Sequence, residues 1–258
     1  MKITVLAENT ACRPEIGCEH GLSLFIETDG VSILFDTGQS ELFSENADKL
    51  GIDLSKVKLA VLSHGHYDHG GGLKRFLEIN RIAPIYISRY AFEPHYNGTE
   101  KYIGLDTELK DNKRFIFTGE KYKINDSLTL YSKNGCKKIR PLLSSGLNTL
   151  SDGKLIPEDF RHEQYLLISE NGKRILISGC SHKGIFNIIN WFNPDVLIGG
   201  FHFMKLPIDD TLAEYAKELS SCPTEFFTCH CTGVEQYEFM KPYMKNLNYI
   251  KAGMTFEI

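Results

Sequence analysis

Residues 64–69 read His-Gly-His-Tyr-Asp-His, which places four metal-capable side chains, His64, His66, Asp68 and His69, within six positions. Imidazole nitrogens and a carboxylate oxygen suit zinc, iron or manganese. The apolar residues 59–62 precede the run and Gly70-Gly71-Gly72 follow it. An extended segment ending at Ser63 must turn sharply to aim these groups at one volume, and glycines at 65 and 70–72 permit that turn. A solvated polar loop is the alternative reading. It sits poorly with three of the chain's nine histidines gathered beside one aspartate.

Later histidines extend the pattern. His182, His202 and His230 each follow an apolar run, at 175–177, 196–198 and 226–229. In a layered α/β protein the strand ends on one edge of a sheet converge, so histidines repeated there favour one shared site. Ser181 could cap a helix over 185–191, and Thr232-Gly233-Val234-Glu235 has capping-box spacing for another. Helix N-termini so placed would attract an anionic group, which points to a phosphate or carboxylate substrate, and Lys183 would add charge.

The elements that must position these residues follow from apolar periodicity. Strands are expected at 2–7, 21–27, 31–35, 58–62, 83–87, 114–118, 128–132, 165–169, 174–178, 196–198 and 226–229. Helices are expected at 41–50, 72–79, 185–191, 211–219 and 234–245. Glu170-Asn171-Gly172 is a hairpin signal between two strands. The segment 89–112 reads as an irregular insertion able to form a pocket wall.

With 258 residues, 42% of them hydrophobic, and no linker or repeat, the chain reads as a single domain over 1–258. Its net charge of −4 gives no global basic field for nucleic-acid phosphates. Seven irregularly spaced cysteines, no signal-peptide core in residues 1–10 and no apolar stretch of bilayer length point to a reducing, cytoplasmic setting without a membrane.

The string at 64–69 matches, without substitution, the His-x-His-x-Asp-His signature of the metallo-β-lactamase superfamily, which the chain resembles. Ile33-Leu34-Phe35-Asp36-Thr37-Gly38 is similar to that family's strand-ending Asp-x-Gly. This implies that Asp36 buttresses the metal loop, while a cap for helix 41–50 stays open on the residues alone. Glu19-His20-Gly21-Leu22-Ser23, Gly179-Cys180-Ser181-His182, Gly199-Gly200-Phe201-His202 and His230-Cys231-Thr232-Gly233 resemble one branch of it. That branch is the 7,8-dihydropterin-6-yl-methyl-4-(β-D-ribofuranosyl)aminobenzene-5′-phosphate synthase family.

The resemblance implies an α/β fold, the αββα sandwich, with two mixed sheets flanked by helices. It also implies two divalent metal ions, zinc with manganese or iron as alternatives. His64, His66 and His182 would hold one, and Asp68, His69 and His230 the other. Asp68 and His202 are then the catalytic candidates, and His20, Lys183, His202 and Thr232 the substrate contacts. The superfamily's bridging aspartate has no counterpart, because the strand ends Gly179-Cys180; Cys180 reads as a buried thiol, with thiolate ligation as the alternative. His95 is expected at the surface or lining a pocket, and His162 stays open. The implied activity is metal-dependent hydrolysis or group transfer on a phosphate-bearing small molecule, including a dihydropterin/ribofuranosyl-aminobenzene phosphate condensation. A phosphodiesterase or nuclease, or a non-catalytic metal-binding relative, is the alternative.

Overall fold

The computed structural model describes residues 1–28 and 30–258. In chain order its strands are β1 (Lys2–Ala7), β2 (Ser23–Thr28), β3 (Val31–Phe35), β4 (Leu59–Val61), β5 (Ile85–Ser88), β6 (His95–Asn97), β7 (Lys101–Tyr102), β8 (Phe115–Thr118), β9 (Lys121–Lys123), β10 (Leu128–Tyr131), β11 (Leu147–Ser151), β12 (Lys154–Pro157), β13 (Tyr165–Glu170), β14 (Lys173–Ile177), β15 (Val196–Ile198), β16 (Glu225–Thr228), β17 (Leu247–Tyr249) and β18 (Thr255–Glu257). The helices are α1 (Leu42–Lys49), α2 (Tyr67–Gly70), α3 (Leu73–Ile79), α4 (Ile185–Phe192), α5 (Asp210–Ser220) and α6 (Val234–Met240).

Two sheets of seven strands, ordered β18-β1-β2-β3-β4-β5-β8 and β17-β16-β15-β14-β13-β10-β9, pack face to face. Alternation along each strand builds the layers. Ile33 and Phe35 of β3 face Ile175 and Ile177 of β14 across the central core, whereas Leu34 between them packs with Phe43 of α1 and Phe76 of α3. Leu176 likewise turns outward to Ile185 and Ile188 of α4 and Leu212 of α5. Each such fully buried side chain contributes about 1.5–3 kcal/mol. Helices cover both outer faces, so the architecture is the expected αββα sandwich of mixed sheets.

Strands β3, β4, β5 and β8 run parallel, as do β14, β15, β16 and β17. Their carboxyl ends deliver Asp36, His64, His182, His202 and His230 to one edge of the sandwich. The Asn171-Gly172 turn adopts φ of 52° and 77°, the left-handed pair that the hairpin signal requires.

Some expected elements differ. The segment 89–112 is not wholly irregular: β6 and β7 pair with each other and, through β11, with β12 in a four-stranded accessory sheet. The expected helix over 234–245 ends at Met240 and tightens into a 3₁₀ turn, Lys241–Tyr243, where Pro242 supplies no N–H. Neither expected cap forms. Helices α4 and α6 start after Gly184 and Gly233, without a side-chain cap, and the Ser181 hydroxyl pairs with that of Ser178. No helix among the described residues is long and apolar enough to cross a membrane.

Candidate functional site

The metal-capable cluster begins where β4 ends, and Asp36 beyond β3 anchors it. Asp36 Oδ1 accepts the Ser63 N–H at 2.7 Å, and Oδ2 lies 2.7 Å from both Ser63 Oγ and His69 Nδ1. This carboxylate is therefore a buttress and not a helix cap. Tight backbone packing completes the turn: a Cβ on Gly65 would lie 2.1 Å from the Ala91 carbonyl oxygen. His66 then precedes α2, which carries Asp68 and His69.

Proton placement follows from the partners. The Ser63 hydroxyl gives its hydrogen to Asp36, so it accepts from His64 Nδ1 at 2.8 Å. His69 Nδ1 donates to Asp36, and His230 Nδ1 lies 2.8 Å from the Asn9 side-chain oxygen. Each of these histidines consequently directs Nε2 inward. His64 Nε2 is 3.3 Å from His182 Nε2, and His69 Nε2 is 3.2 Å from His230 Nε2. The lone pairs of His69 and His230, brought this close, repel unless a cation lies between them, so the donor set fits a metal. His64, His66 and His182 form one such group; Asp68 Oδ2, 3.4 Å from His230 Nε2 and 4.0 Å from His69 Nε2, begins a second. Cys180 lies inside this set and not apart from it, with Sγ 3.1 Å from His69 Nε2.

Carboxylates that sequence reasoning missed hold the later histidines in place. Glu163 accepts the His182 and Lys183 amides at 2.7 and 3.0 Å, while Phe160 stacks on the His182 ring at 4.5 Å. Glu8 accepts the His230 amide at 2.7 Å. No periodic signal marks these acids, because each acts across a long stretch of chain. The His202 ring lies 4.4 Å from that of His182, on a backbone with φ of 59°.

These groups open into a cavity of about 230 Å³ lined by His20, Asp68, His182, His202, Lys101 and Lys205, among others. His20 sits at its mouth, half-exposed, with Nε2 3.3 Å from Asp68 Oδ2. Two expected contacts are not at this cavity. Lys183 is buried, its ammonium tied to the Ser132 and Glu163 carbonyls at 2.7 and 2.8 Å. The Thr232 hydroxyl, also buried, accepts the Phe201 amide at 2.8 Å. The positive charge comes instead from Lys101, in the accessory sheet, and Lys205. His95 is neither at the surface nor among the residues lining this cavity, and it and His162, whose place the sequence left open, are buried beside Glu158.

Burial pushes the pKa of His64, His162 and His182 well below the ordinary value, and that of His202 and His230 to about 4. Neutral imidazoles are the ligand-competent form. Burial opposes ionisation of Asp68, but His69, His20 and His230 outweigh it and hold the carboxyl well below its usual range. Burial and the neighbouring Cys231 push the Cys180 thiol up, so without a cation it keeps its proton.

The unfolded histidines take up protons near pH 6.5, whereas His202 and His230 in the fold do so only near 4. Between those values the unfolded chain binds more protons, and the metal-free protein loses stability as pH falls. Each group contributes on the order of 1 kcal/mol per pH unit. His69 acts in the opposite sense, since burial lowers its pKa but Asp36 and Asp68 more than restore it. Urea denaturation at pH 7 and pH 5 should show lower stability at pH 5; equal stability would show that these rings take up protons in the native state.

Comparison with known proteins agrees with this geometry. Residues 16–203 match the metallo-β-lactamase superfamily. An uncharacterised protein of Methanocaldococcus jannaschii is 30% identical, with 90% of each chain covered. The 7,8-dihydropterin-6-methyl-4-(β-D-ribofuranosyl)-aminobenzene-5′-phosphate synthase of the same organism is 30% identical over 98% of this chain and 95% of its own. The crystal structure of Tm1679, described as a metal-dependent hydrolase of the β-lactamase superfamily, superposes with a TM-score of 0.83 at 30% identity, covering 100% of this chain and 99% of that one. With its signature residues gathered at the carboxyl edge of an αββα sandwich, this chain belongs to the metallo-β-lactamase superfamily.

Proposed function

We propose that the protein is an enzyme that holds two divalent cations, zinc first among them, and acts on a phosphate-bearing small molecule. The observation that carries this reading is the inward convergence of imidazole Nε2 atoms, with the Nδ1 atoms of His64, His69 and His230 already committed to protein acceptors. His64, His66 and His182 would hold one ion, and Asp68, His69 and His230 the other, with Cys180 in place to contribute. Bound cations would supply Lewis acidity toward a phosphoryl or acyl oxygen.

The chain's own residues do the rest. Lys101 and Lys205 attract the anionic end of the substrate. Ile103 and Leu147 make part of the wall apolar, which limits water and strengthens the electrostatics within. His202, neutral because burial lowers its pKa to about 4, can accept a proton from the attacking group. Asp68 stays anionic and orients that group.

The synthase relative favours group transfer and Tm1679 favours hydrolysis; the transfer we propose is displacement of diphosphate from an activated pterin-methyl group by an arylamine ribonucleotide. Protein stripped with a chelator and reloaded with zinc, manganese or iron should be assayed on that substrate pair and on a phosphoester panel. Activity lost on stripping and regained on reloading is the expected result. Product from the pair selects transfer, and water-derived product alone selects hydrolysis. Metal uptake without turnover on either set would leave a metal-binding relative and end the enzymatic reading.

A further inference from the structure

Glu158 follows β12 with its side chain 1% exposed, as are those of His95 and His162 beside it. Its Oε1 lies 2.6 Å from both His95 Nδ1 and His162 Nε2, in close contacts whose angles fall short of straight hydrogen bonds. Its Oε2 lies 3.3 Å from His66 Nε2. Burial opposes ionisation of this carboxyl, but His162, His66 and His95 together outweigh it and hold Glu158 far below the usual range. A buried carboxylate costs several kcal/mol unless it is compensated. None of the three reaches the cavity except through His66, which lines it.

Four buried donors suggest a further cation at their centre, but proton placement on His162 excludes a site built from all four. The Gly65 amide donates to His162 Nδ1 at 2.8 Å. The neutral ring therefore carries its hydrogen on Nε2 and has no lone pair left for a metal there. What remains is a carboxylate that gathers N–H groups. His66 is one of the donors, and a hydrogen on its Nε2 leaves the lone pair on Nδ1. The His66 ring stands 4.7 Å from that of His64 and 4.9 Å from that of His182.

We propose that Glu158, steadied by His95 and His162, is a positioning residue that fixes the tautomer and rotation of His66 so that Nδ1 serves the metal. The accessory sheet thereby becomes part of the metal centre, since His95 opens β6 and Glu158 directly follows β12. This rests on the reading of His66 as a ligand. A ligand histidine is tuned by whatever its distal nitrogen binds, and loss of that partner lowers metal affinity about 10–100-fold.

Two measurements decide it. Long-range ¹H–¹⁵N correlation spectra of the metal-free wild type distinguish the two ring nitrogens and should show His66 protonated at Nε2; protonation at Nδ1 would overturn the proposal. Glu158→Gln offers an N–H to three donors and so turns one of them away. Its zinc affinity, read by chelator competition, should fall about 10–100-fold, with partial recovery in Glu158→Asp. A wild type that binds no zinc defeats the metal reading itself. A wild type that binds zinc, with Glu158→Gln binding it equally well, defeats this inference alone. Should Glu158→Gln fail to fold, the wild-type tautomer still decides.

Discussion

The Asp68→Ala protein is expected to lose at least one cation per chain and about a thousandfold or more in turnover, the scale on which charge stabilisation at a reacting centre is felt. Asp68 is the carboxylate among the residues lining the cavity, and its Oδ2 stands between His20 and His230 at 3.3 and 3.4 Å. The surrounding imidazoles keep it anionic. Without it, His69 and His230 are left as neutral donors, a weaker set for a divalent ion. Asp68→Asn keeps the shape and removes the charge, so it should fold like the parent and still fail to load fully. Elemental analysis beside an activity assay checks both variants. Full metal content with full activity in either would remove Asp68 from the centre.

Replacing Asp36 should damage the fold as well as the site. Its two oxygens receive the Ser63 amide, the Ser63 hydroxyl and His69 Nδ1, all at 2.7 Å with no solvent to replace them. Asp36→Ala should cost about 3–5 kcal/mol, as expected when one member of a buried charged network is removed. The backbone adds to this, because φ is 59° and alanine has no side chain to support that conformation. Asp36→Asn tolerates the backbone and keeps one acceptor for Ser63, so its cost should be nearer 1–3 kcal/mol. Its amide cannot accept from His69, however, so zinc affinity should drop about 10–100-fold. Urea denaturation and chelator competition separate the two effects; Asp36→Asn with unchanged affinity would show that His69 does not depend on this partner.

Much of this centre is legible in the sequence because its donors are local or lie at strand ends. Residues 64–69 are contiguous, and His182, His202 and His230 each follow an apolar run that itself reads as a strand. The central strands are legible for the same reason, being continuous apolar stretches covered on both faces. What does not show is whatever acts at a distance. Glu8, Asn9, Glu158 and Glu163 grip histidines through backbone amides or ring nitrogens across long separations, and an isolated acid looks like any solvated one. The accessory sheet is hidden likewise: β6 and β7 are short and mostly polar, and β6 finds its partner β11 only across a long stretch of chain that holds β8, β9 and β10, with Leu147 opposite Asn97. Thr232 misleads because its hydroxyl satisfies the Phe201 amide instead of capping a helix. Lys183 misleads because a cation beside a site histidine is here committed to two carbonyls in the core.

His202 carries a wider consequence. Its backbone is left-handed, and among the described residues its ring packs on His182 without a hydrogen bond to the protein. A side chain held in that conformation costs about 1–3 kcal/mol, and glycine would adopt it freely. On the role proposed for His202, a lineage pressed only toward heat tolerance would surrender this imidazole early, and thermal hardiness and competence would pull in opposite directions at a single codon.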